Sequence, residues 1–284
     1  MRYGIPYQGS KNQIARKIID FLPLADNFYD LFAGGCAISH CASLSNKYKN
    51  IYANDINPEP LQLFQDAIDG KFQHEKRWIS REDFFALKEK EPYIKYCWSF
   101  ANNCKSYMYS KKIEHWKKAL HYARVLQDFS LFEKMGIHTD ATKPDIIRNK
   151  DEYITKYNKT LNTQSKQLES LESLESLERL QSLEHTNIIF LSQDYADVTV
   201  NANSIIYCDI PYQNTNVDGY ADTFDHERFF DWANSVNTPV FMSSYEIVDS
   251  RFTEVWQTTK QNNKSRKIIT ERIYVQNRFK DVVT

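Results

Sequence analysis

The first 70 residues of this 284-residue chain constrain its fold most, because strand and helix signals alternate there in a fixed order. Residues 27–32 (NFYDLF) have the pattern of a short buried strand that ends at a pair of glycines, and residues 37–44 can continue as a helix. Residues 50–53 (NIYA) repeat the strand pattern, and Pro58 then opens another helix. This order predicts a βαβ unit and therefore a parallel sheet in an α/β fold.

Strand signals stop near residue 70 and return near residue 186. The later strand-like runs are residues 187–191 (NIIFL), 204–208 (SIIYC), 240–243 (VFMS), 253–258 and 268–276. The residues in between are polar and mostly helical in pattern. We therefore predict a discontinuous α/β domain, residues 1–70 and 186–284, interrupted by a mostly helical insert, residues 71–185.

A low-complexity tract inside the insert, residues 168–184, repeats Leu-Glu-Ser. A leucine at every third position precesses around a helix of about 3.6 residues per turn, so it cannot form a coiled-coil seam. Leucine and glutamate still favour helix. We expect a loose helix or a linker that takes no part in chemistry.

Charge is unevenly distributed along the chain, although the formal net charge is only −1. Residues 71–124 carry 13 Lys or Arg against 6 Asp or Glu, whereas residues 194–231 carry eight acids and one Arg. This asymmetry fits a phosphate-facing surface beside an acidic pocket. Solvated surface charge explains any one of these segments equally well when it is taken alone.

Several classes of protein are disfavoured by the sequence. Its five cysteines form no CxxC pair and show no spacing with histidine that suits zinc, so we expect neither a structural metal nor disulfides. No run approaches the roughly 18 consecutive apolar residues of a membrane span, and the N-terminal residues do not resemble a signal peptide. We expect a cytoplasmic protein.

Two acidic residues at predicted strand ends favour a ligand with a ribose and a cationic group. Asp30 precedes the turn Gly34-Gly35, where the backbone can pass close to a ligand and a carboxylate can accept from an ammonium. Asp55 follows the next strand, the position at which doubly wound folds bind two ribose hydroxyls. A tight strand-to-helix turn explains the glycines equally well, and Asp55 has the alternative of a helix cap, for which Asn57 is better placed.

Two further acids follow buried strands. Asp194 comes after NIIFL and can accept from the amino group of an adenine whose face meets Tyr195, although an Asp there is more often a turn residue. Asp209 ends the apolar part of IIYCDIPY, where an unpaired carboxylate is costly to bury and Pro211 stops the strand. Such an unfavourable arrangement predicts a functional site.

Four segments in a fixed order resemble the Dam-type (alpha-class) site-specific DNA N6-adenine methyltransferases. They are Tyr7-Gln8-Gly9-Ser10-Lys11, DLFAGG from Asp30, ANDIN around Asp55 and DIPY from Asp209. The resemblance covers residues 3–70 and 186–280, and the insert lies where that family keeps its target-recognition region. It implies a Rossmann-like, S-adenosylmethionine-dependent methyltransferase that modifies the N6 amino group of adenine in a short double-stranded DNA target.

The resemblance also implies which residues bind the cofactor and which carry the reaction. The cofactor set comprises Tyr7, Lys11, Asp30, Phe32, Ala33, Gly34, Gly35, Asp55, Ile56, Asp194 and Tyr195. The catalytic set is Asp209, Ile210, Pro211 and Tyr212. The target adenine must leave the duplex to be methylated. Tyr212 would then stack on it, while Asp209 and the carbonyl of Ile210 accept the two amino hydrogens.

The family usually has proline where this chain has Ile210. That position contributes a backbone carbonyl, and Pro211 still restricts it to extended conformations, so we expect activity to survive. A slow enzyme is the rival interpretation, and Ile210→Pro would then accelerate it.

The insert holds the candidate DNA-binding residues. They are Asn102, Asn103, Lys105, Lys111, Lys112, Lys117, Lys118 and Arg124. We expect the basic side chains to meet phosphates and the asparagines to read base edges. Trp98, Tyr107 and Trp116, interleaved with them, have the alternative of forming the core of the insert.

Two other functions stay open at this point. Related tetrapeptides also serve methylation of RNA and of protein amides, and a catalytically silent DNA-binding relative would keep the same fold. The separate insert and the motif order favour DNA, and the intact Asp209, Pro211 and Tyr212 argue against a silent protein. We expect a monomer, with a cognate restriction endonuclease as a candidate partner, and the sequence does not disclose the DNA target.

Overall fold

The computed structural model describes residues 2–135, 172–183, 186–212, 224–261 and 268–283. The chain divides into two compact units. The first comprises Met1–Ile5, Gly9–Asp69 and Leu183–Thr284, and the second comprises Pro6–Gln8 and Gly70–Ser182. All the strands described below belong to the first unit.

A seven-stranded sheet forms the centre of the first unit. Its strands are β1 (Asn27–Asp30), β2 (Asn50–Asn54), β3 (Ile188–Leu191), β4 (Ser204–Cys208), β5 (Val240–Ser244), β6 (Phe252–Gln261) and β7 (Ile268–Gln276). Their order across the sheet is β3-β2-β1-β4-β5-β7-β6. Neighbours from β3 to β5 are parallel, whereas β7 is antiparallel to both β5 and β6. The predicted α/β fold with a parallel sheet is confirmed, and the late pair of strands adds an antiparallel edge.

Helices accompany the strands in the first unit and dominate the second. In chain order they are α1 (Ala15–Phe21), α2 (Ala37–Leu44), α3 (Pro58–Ile68), α4 (Arg81–Leu87), α5 (Pro92–Cys97), α6 (Lys111–His121), α7 (Ser130–Lys134), α8 (Glu172–Gln181) and α9 (His226–Ser235). The first unit holds α1–α3 and α9, and the second holds α4–α8. The side chain of Asn57 caps α3 by accepting from Glu59 N at 3.1 Å, as expected, which leaves Asp55 for another contact.

The central strands are buried, and this fixes where their ends meet. Every residue of β1, β4 and β5 is buried, and α9 packs Phe229, Phe230 and Ala233 into the core cluster beside them. Because β1, β2 and β4 run parallel, the loops that follow them lie along one edge of the sheet. The segments after Asp30, Asn54 and Cys208 are those loops.

Gly4 lies against the turn that follows β1. It has φ +63°, and a Cβ atom there would lie 2.6 Å from Ala37 N and closer still to Gly35 O. Ile5 N donates to Gly35 O at 2.8 Å, and Gly34 in the same turn has φ +45°. Glycine is therefore required at position 4 for both its backbone conformation and its close approach.

The second unit contains a short hairpin besides its helices. Ser99 and Tyr107 form an antiparallel bridge. The tip between them has left-handed backbone at Ala101, Asn102 and Cys104, with φ of 50°, 56° and 61°. Three such residues without glycine make this a strained turn of the kind often found at functional sites.

Aromatic side chains form the core of the second unit. Trp98, Tyr107 and Trp116 are all buried, so the alternative of a core role is confirmed for them. In the Leu-Glu-Ser tract, α8 buries Leu180, and the Gln181 amide donates to Phe72 O at 2.8 Å. This part of the tract is helical, and its C-terminal end is packed into the unit through Leu180 and Gln181. Residues 168–171 and 184 lie outside the described residues.

Candidate active site

Two acids, a lysine and a tyrosine meet at the carboxyl end of β4 and form the Lys11 cluster (Lys11, Asp209, Tyr212 and Glu271). Lys11 Nζ donates to both carboxylate oxygens of Asp209, at 2.6 and 2.7 Å, and lies 3.6 Å from Glu271 Oε1. Tyr212 Oη donates to Glu271 Oε1 and lies 3.3 Å from Asp209 Oδ1. The side chains of Lys11, Glu271 and Asp209 are 4 %, 0 % and 22 % exposed. Ion pairing inside the cluster therefore offsets the cost of burying the two carboxylates.

The electrostatics of the cluster keep its lysine and its tyrosine protonated. Burial by itself lowers the pKa of Lys11, but the carboxylates of Asp209 and Glu271 outweigh it and raise that pKa above its ordinary value. Burial raises the pKa of the Tyr212 hydroxyl, and the same two carboxylates raise it further. At neutral pH the ammonium of Lys11 is therefore charged, and Tyr212 is a hydrogen-bond donor.

The ring of Tyr212 is held in a fixed orientation. Its centroid lies 4.5 Å from that of Tyr245 in an edge-on contact with an interplanar angle of 72°. The ammonium of Lys11 lies 4.9 Å from the Tyr212 centroid, over the ring. Together with the bond to Glu271, these contacts make Tyr212 a rigid aromatic surface.

The two residues between Asp209 and Tyr212 are anchored from the core and from α9. Ile210 is buried and packs in the core cluster, where the resembling family usually has proline. His226 Nε2, at the start of α9, lies 2.7 Å from Pro211 O. Side-chain packing and this histidine thus restrain the loop in place of a second proline.

Asp30 carries a buried carboxylate oxygen that accepts no hydrogen bond from the described residues. Its side chain is 1 % exposed, and its Oδ2 accepts from Ser39 Oγ at 2.6 Å and from Ser39 N at 3.2 Å. Its Oδ1 has no hydrogen-bond partner within the described part of the chain. Burial raises the pKa of Asp30 to about 7, with the bonds from Ser39 opposing and the charges of Asp209 and Asp55 adding to the rise. A buried acceptor of this kind fits a cationic or amino group.

Asp55 braces the glycine turn. Its Oδ2 accepts from Gly34 N at 2.8 Å and its Oδ1 from Asn57 N at 2.9 Å. Burial raises the pKa of Asp55, and these two bonds oppose the rise. The neighbouring Ile56 is 64 % exposed, so an apolar side chain beside the carboxylate is accessible to solvent. The structure thus brings the turn after β1, including Ala33, Gly34 and Gly35, together with Asp55 and Ile56.

Arg228 changes the interpretation of Asp194 and Tyr195. Its guanidinium donates to both carboxylate oxygens of Asp194, at 2.9 and 3.0 Å, and lies 5.1 Å from the centroid of the Tyr195 ring. Tyr195 is a buried core residue, 5.4 Å from Phe32 between ring centroids. The predicted contact of Asp194 and Tyr195 with an adenine therefore stays a prediction. Phe32 and Tyr195 do lie side by side, but an adenine amino group would have to share Asp194 with Arg228.

Tyr7 groups with the second unit, unlike the other predicted cofactor residues. It stacks there on Tyr96, with ring centroids 5.7 Å apart and an interplanar angle of 27°. Its local role is therefore an aromatic contact within that unit.

The basic side chains proposed to meet DNA differ in exposure. Lys105, Lys111 and Lys112 are exposed, and Lys118 and Arg124 are partly buried. Lys117 is 1 % exposed, and its ammonium lies 5.4 Å from the centroid of the Tyr109 ring. Lys117 therefore supports the core of the second unit and does not present its charge to a phosphate.

The two asparagines hold the hairpin tip. Asn102 Nδ2 donates to Tyr96 O at 2.9 Å, and Asn103 Oδ1 accepts from the backbone N–H groups of Lys105 and Ser106 at 2.9 and 3.0 Å. Each amide is thus partly used inside the turn. Phe100 at the same tip is 56 % exposed, so the hairpin presents an aromatic ring beside amides and a lysine.

Three residues of the site were missed by the sequence-based reasoning: Glu271, Arg228 and His226. The first two had a signal in the sequence. Glu271 is the one acid in the strand-like run 268–276, and Arg228 is the one arginine among the acids of residues 194–231. His226 had none, because a histidine at a helix start is usually exposed.

The family assignment follows from the whole chain as well as from the site. A family model described as D12 class N6 adenine-specific DNA methyltransferase matches residues 7–280. This chain belongs to that family. The match includes the entire sheet and all four residues of the Lys11 cluster. The protein is thus an adenine-specific DNA methyltransferase, and its α/β fold is the one expected of a methyltransferase.

No individual curated protein matches the methyltransferase. Within the described ranges, no helix is long and apolar enough to cross a membrane. The same residues contain no group of three or more His, Cys, Asp or Glu side chains that could hold a metal ion.

Proposed function

We propose that this methyltransferase transfers the methyl group of S-adenosylmethionine to the N6 amino group of a flipped adenine in a short double-stranded DNA target. The observation that carries the proposal is Asp209, a carboxylate at the end of a buried strand with Lys11 and Tyr212 around it. We assign catalysis to a domain of residues 1–70 and 186–284, and target recognition to the insert, residues 71–185.

The turn after β1 fits the proposed methyl donor. The buried Oδ1 of Asp30, which lacks a hydrogen-bond donor among the described residues, suits the ammonium of its amino-acid end. Asp55 beside Gly34 suits the ribose hydroxyls, and Ile56 suits an adenine face. When bound, S-adenosylmethionine supplies an electrophilic methyl group on a sulfonium, and the electrons of the broken C–S bond leave with the sulfur as a neutral thioether. Asp30 and Asp55 then bind and orient it.

Asp209 and the carbonyl of Ile210 are proposed to act on the target amino group. Its nitrogen is a poor nucleophile because the lone pair is delocalised into the ring, and two acceptors draw it toward tetrahedral geometry. Positive charge develops on this nitrogen as its bond to the methyl carbon forms. A fixed carboxylate stabilises that charge more in the transition state than in the ground state. The nitrogen then gives up one proton, which passes by way of Asp209 to solvent.

Tyr212 is proposed to receive the displaced base. An adenine inside a duplex cannot present its amino group to a methyl donor, so it must leave the stack. Stacking of a base on an aromatic side chain contributes about 1–3 kcal/mol. Because Glu271, Lys11 and Tyr245 already hold the ring, little orientational freedom is lost when the base arrives.

The exposed surface of the second unit supports DNA as the polymer. Lys111 and Lys112 at the start of α6, and Lys105 at the hairpin tip, are available to phosphates. Phe100 is an exposed aromatic side chain on a tight turn, a feature suited to a wedge between bases where one has been displaced. We assign this face to DNA binding.

Expression in a bacterium that lacks adenine methylation, followed by modification-sensitive single-molecule sequencing of its genomic DNA, tests the proposal. We expect methylated adenines in one short motif with the wild-type protein. Asp209→Asn, which keeps the shape but removes the charge, should abolish them, whereas Asp197→Asn at an exposed acid should not.

Methylation that persists in Asp209→Asn would refute the role of that carboxylate. Absence of methylation with the wild-type protein, if the purified protein binds S-adenosylmethionine, would point to RNA in place of DNA.

A further inference from the structure

We propose that His226 is a positioning residue for methyl transfer, which holds the tetrapeptide of residues 209–212 in place where Ile210 stands instead of the usual proline. The inference rests on the proposed function, because it concerns the Ile210 carbonyl that is proposed to accept from the target amino group. It assigns a part in the reaction to the first residue of α9, which lies outside the tetrapeptide in sequence.

The contact between His226 and the tetrapeptide is a direct hydrogen bond. His226 Nε2 lies 2.7 Å from Pro211 O. A carbonyl oxygen only accepts, so Nε2 carries the proton and donates it to this bond. Both residues belong to the first unit. The bond therefore ties the start of α9 to the third residue of the tetrapeptide.

This bond restrains a torsion that the proline ring leaves free. Peptide groups are planar, so the direction of the Ile210 carbonyl relative to the backbone of Tyr212 depends on φ and ψ of Pro211. The pyrrolidine ring fixes φ. The value of ψ sets the direction of Pro211 O, which is the atom that His226 holds. His226 thereby fixes the proposed acceptor relative to the residue that is proposed to stack on the base.

Ile210 makes this restraint more important in this chain. A proline at position 210 would fix its own φ through its ring, and isoleucine has no such ring. The isoleucine side chain is buried and packs in the core cluster, and Pro211 favours extended values of ψ at Ile210. Packing thus takes the place of a covalent restraint on one side of the carbonyl. The bond from His226 supplies a second restraint on its other side.

The start of α9 is a rigid support for the histidine. Phe229 and Phe230, about one turn further along the helix, are buried in the core cluster. The ring of Phe224 meets the imidazole edge-on, with centroids 4.9 Å apart and an interplanar angle of 83°. The Phe230 centroid lies 6.3 Å from that of the imidazole. A donor held by a packed helix and two aromatic rings keeps a narrow range of orientations, as the positioning of a reacting group requires.

The helix itself gives no reason for a histidine at this position. Asp225 already caps α9, since its Oδ1 accepts from Arg228 N at 2.9 Å. The helix dipole favours acidic side chains in the first turn, such as the exposed Glu227, and disfavours a side chain that can become cationic. The bond to Pro211 O therefore accounts for His226 better than the stability of α9 does.

Two substitutions separate the hydrogen bond from the packing of the ring. His226→Gln keeps a donor at a similar reach and removes the ring, whereas His226→Phe keeps a ring and removes the donor. Each is made in the wild-type chain and together with Ile210→Pro. Glu227→Gln is the matched control, because it alters an exposed side chain in the same turn of α9. The measurement is single-turnover transfer of labelled methyl from saturating S-adenosylmethionine to saturating unmethylated genomic DNA, with both dissociation constants determined in parallel.

We expect His226→Phe to lower the transfer rate roughly 10- to 100-fold through misplacement of the Ile210 carbonyl, with both dissociation constants changed by less than about threefold. His226→Gln should keep the rate within about threefold of wild type, because the donor is retained. Glu227→Gln should leave the rate unchanged. His226→Leu also removes the donor and replaces His226→Phe should that variant fail to fold.

The effect of His226→Phe should depend on the residue at position 210. Measured against the single variant Ile210→Pro, it should be less than about threefold, because the added ring restrains the same carbonyl and the two effects are not additive. Should Ile210→Pro give no active protein, Ile210→Ala takes its place with the opposite sign. Weaker packing at position 210 should then make the loss caused by His226→Phe larger than in the wild-type chain.

Three results would each overturn the inference: a wild-type rate in His226→Phe, a rate in His226→Gln as low as that of His226→Phe, or a loss that is the same whatever residue stands at position 210. A purely structural role of the ring predicts the reverse order, with phenylalanine better than glutamine. Asp209→Asn, measured alongside, separates this inference from the proposed function. An active Asp209→Asn refutes the proposed function itself. An inactive Asp209→Asn together with a fully active His226→Phe refutes only the role of His226.

Discussion

Asp30 should make the stability of the protein fall as the pH rises from about 4 to about 7. Burial, with contributions from the charges of Asp209 and Asp55, raises its pKa from 3.8 to about 7. In this range the folded state holds a proton that the unfolded chain has already released. The stability linked to that proton is complete below the unfolded pKa and is lost as the pH rises through the folded pKa.

The size of the effect follows from the two pKa values. A rise from 3.8 to about 7 corresponds to about 4 kcal/mol at about 1.4 kcal/mol per pH unit. Asp30→Asn removes the titration and keeps a side chain of the same shape, whose carbonyl oxygen can still accept from Ser39. The free energy of unfolding of the variant should therefore increase relative to wild type by about 2–3 kcal/mol between pH 5 and pH 8.

Urea denaturation followed by circular dichroism at pH 5, 6, 7 and 8 measures this difference. Asp197→Asn makes the same chemical change at an exposed position and should give a difference that does not depend on pH. A flat difference for Asp30→Asn as well would show that the carboxyl of Asp30 is ionised in the folded state at all these pH values, and the argument from burial would be wrong. Saturating S-adenosylmethionine should reduce the pH dependence of the wild type, because the proposed ammonium contact stabilises the ionised form.

Three further perturbations test other parts of the molecule. Gly4→Ala should lower the free energy of unfolding by about 2 kcal/mol or more, because the added methyl group would collide with the turn after β1. Gly9→Ala is the control: Gly9 has φ +82° and open space around it, so this variant should lose only about 1–2 kcal/mol through backbone strain. Equal losses in the two variants would contradict the collision. Tyr212→Ala should slow methylation of duplex DNA by about 10- to 100-fold, because the stacking contact with the target base is lost. The methylation rate is measured together with the fluorescence of 2-aminopurine placed at the target base, and an unchanged rate would show that Tyr212 does not bind the base. The double variant Lys111→Ala, Lys112→Ala should reduce the magnitude of the slope of log DNA affinity against log salt concentration by about 2. An unaltered slope would exclude both lysines as phosphate contacts.

Local patterns were sufficient to predict most strands and helices of the first unit. Residues 204–208 and 268–276 form strands where apolar and β-branched residues predicted them, and α2 spans the predicted residues 37–44. The first helix begins at Ala15, after a turn in which Ile14 N donates to Lys11 O. Periodicity alone could not show that Lys11 and its neighbours lie in a turn before the helix, with the lysine committed to Asp209.

The active site was predictable only in part, because the rest of it depends on contacts between distant parts of the chain. Asp209 and Tyr212 were conspicuous as polar residues that follow an apolar strand. The place of Glu271 depends on β7 pairing antiparallel with β5, a register set by the assembled sheet. The pairing of Arg228 with Asp194 depends in the same way on where α9 packs, which no local rule specifies.

The order of strands in the sheet has a consequence for the synthesis of the enzyme. Lys11 is translated early and Glu271 late, and β7 takes its place between β5 and β6 in the finished sheet. A nascent chain that has emerged only as far as β5 contains Lys11 and Asp209 but lacks the strand that carries Glu271. The cluster around Asp209 is therefore complete only after this late strand has been made and inserted between its neighbours.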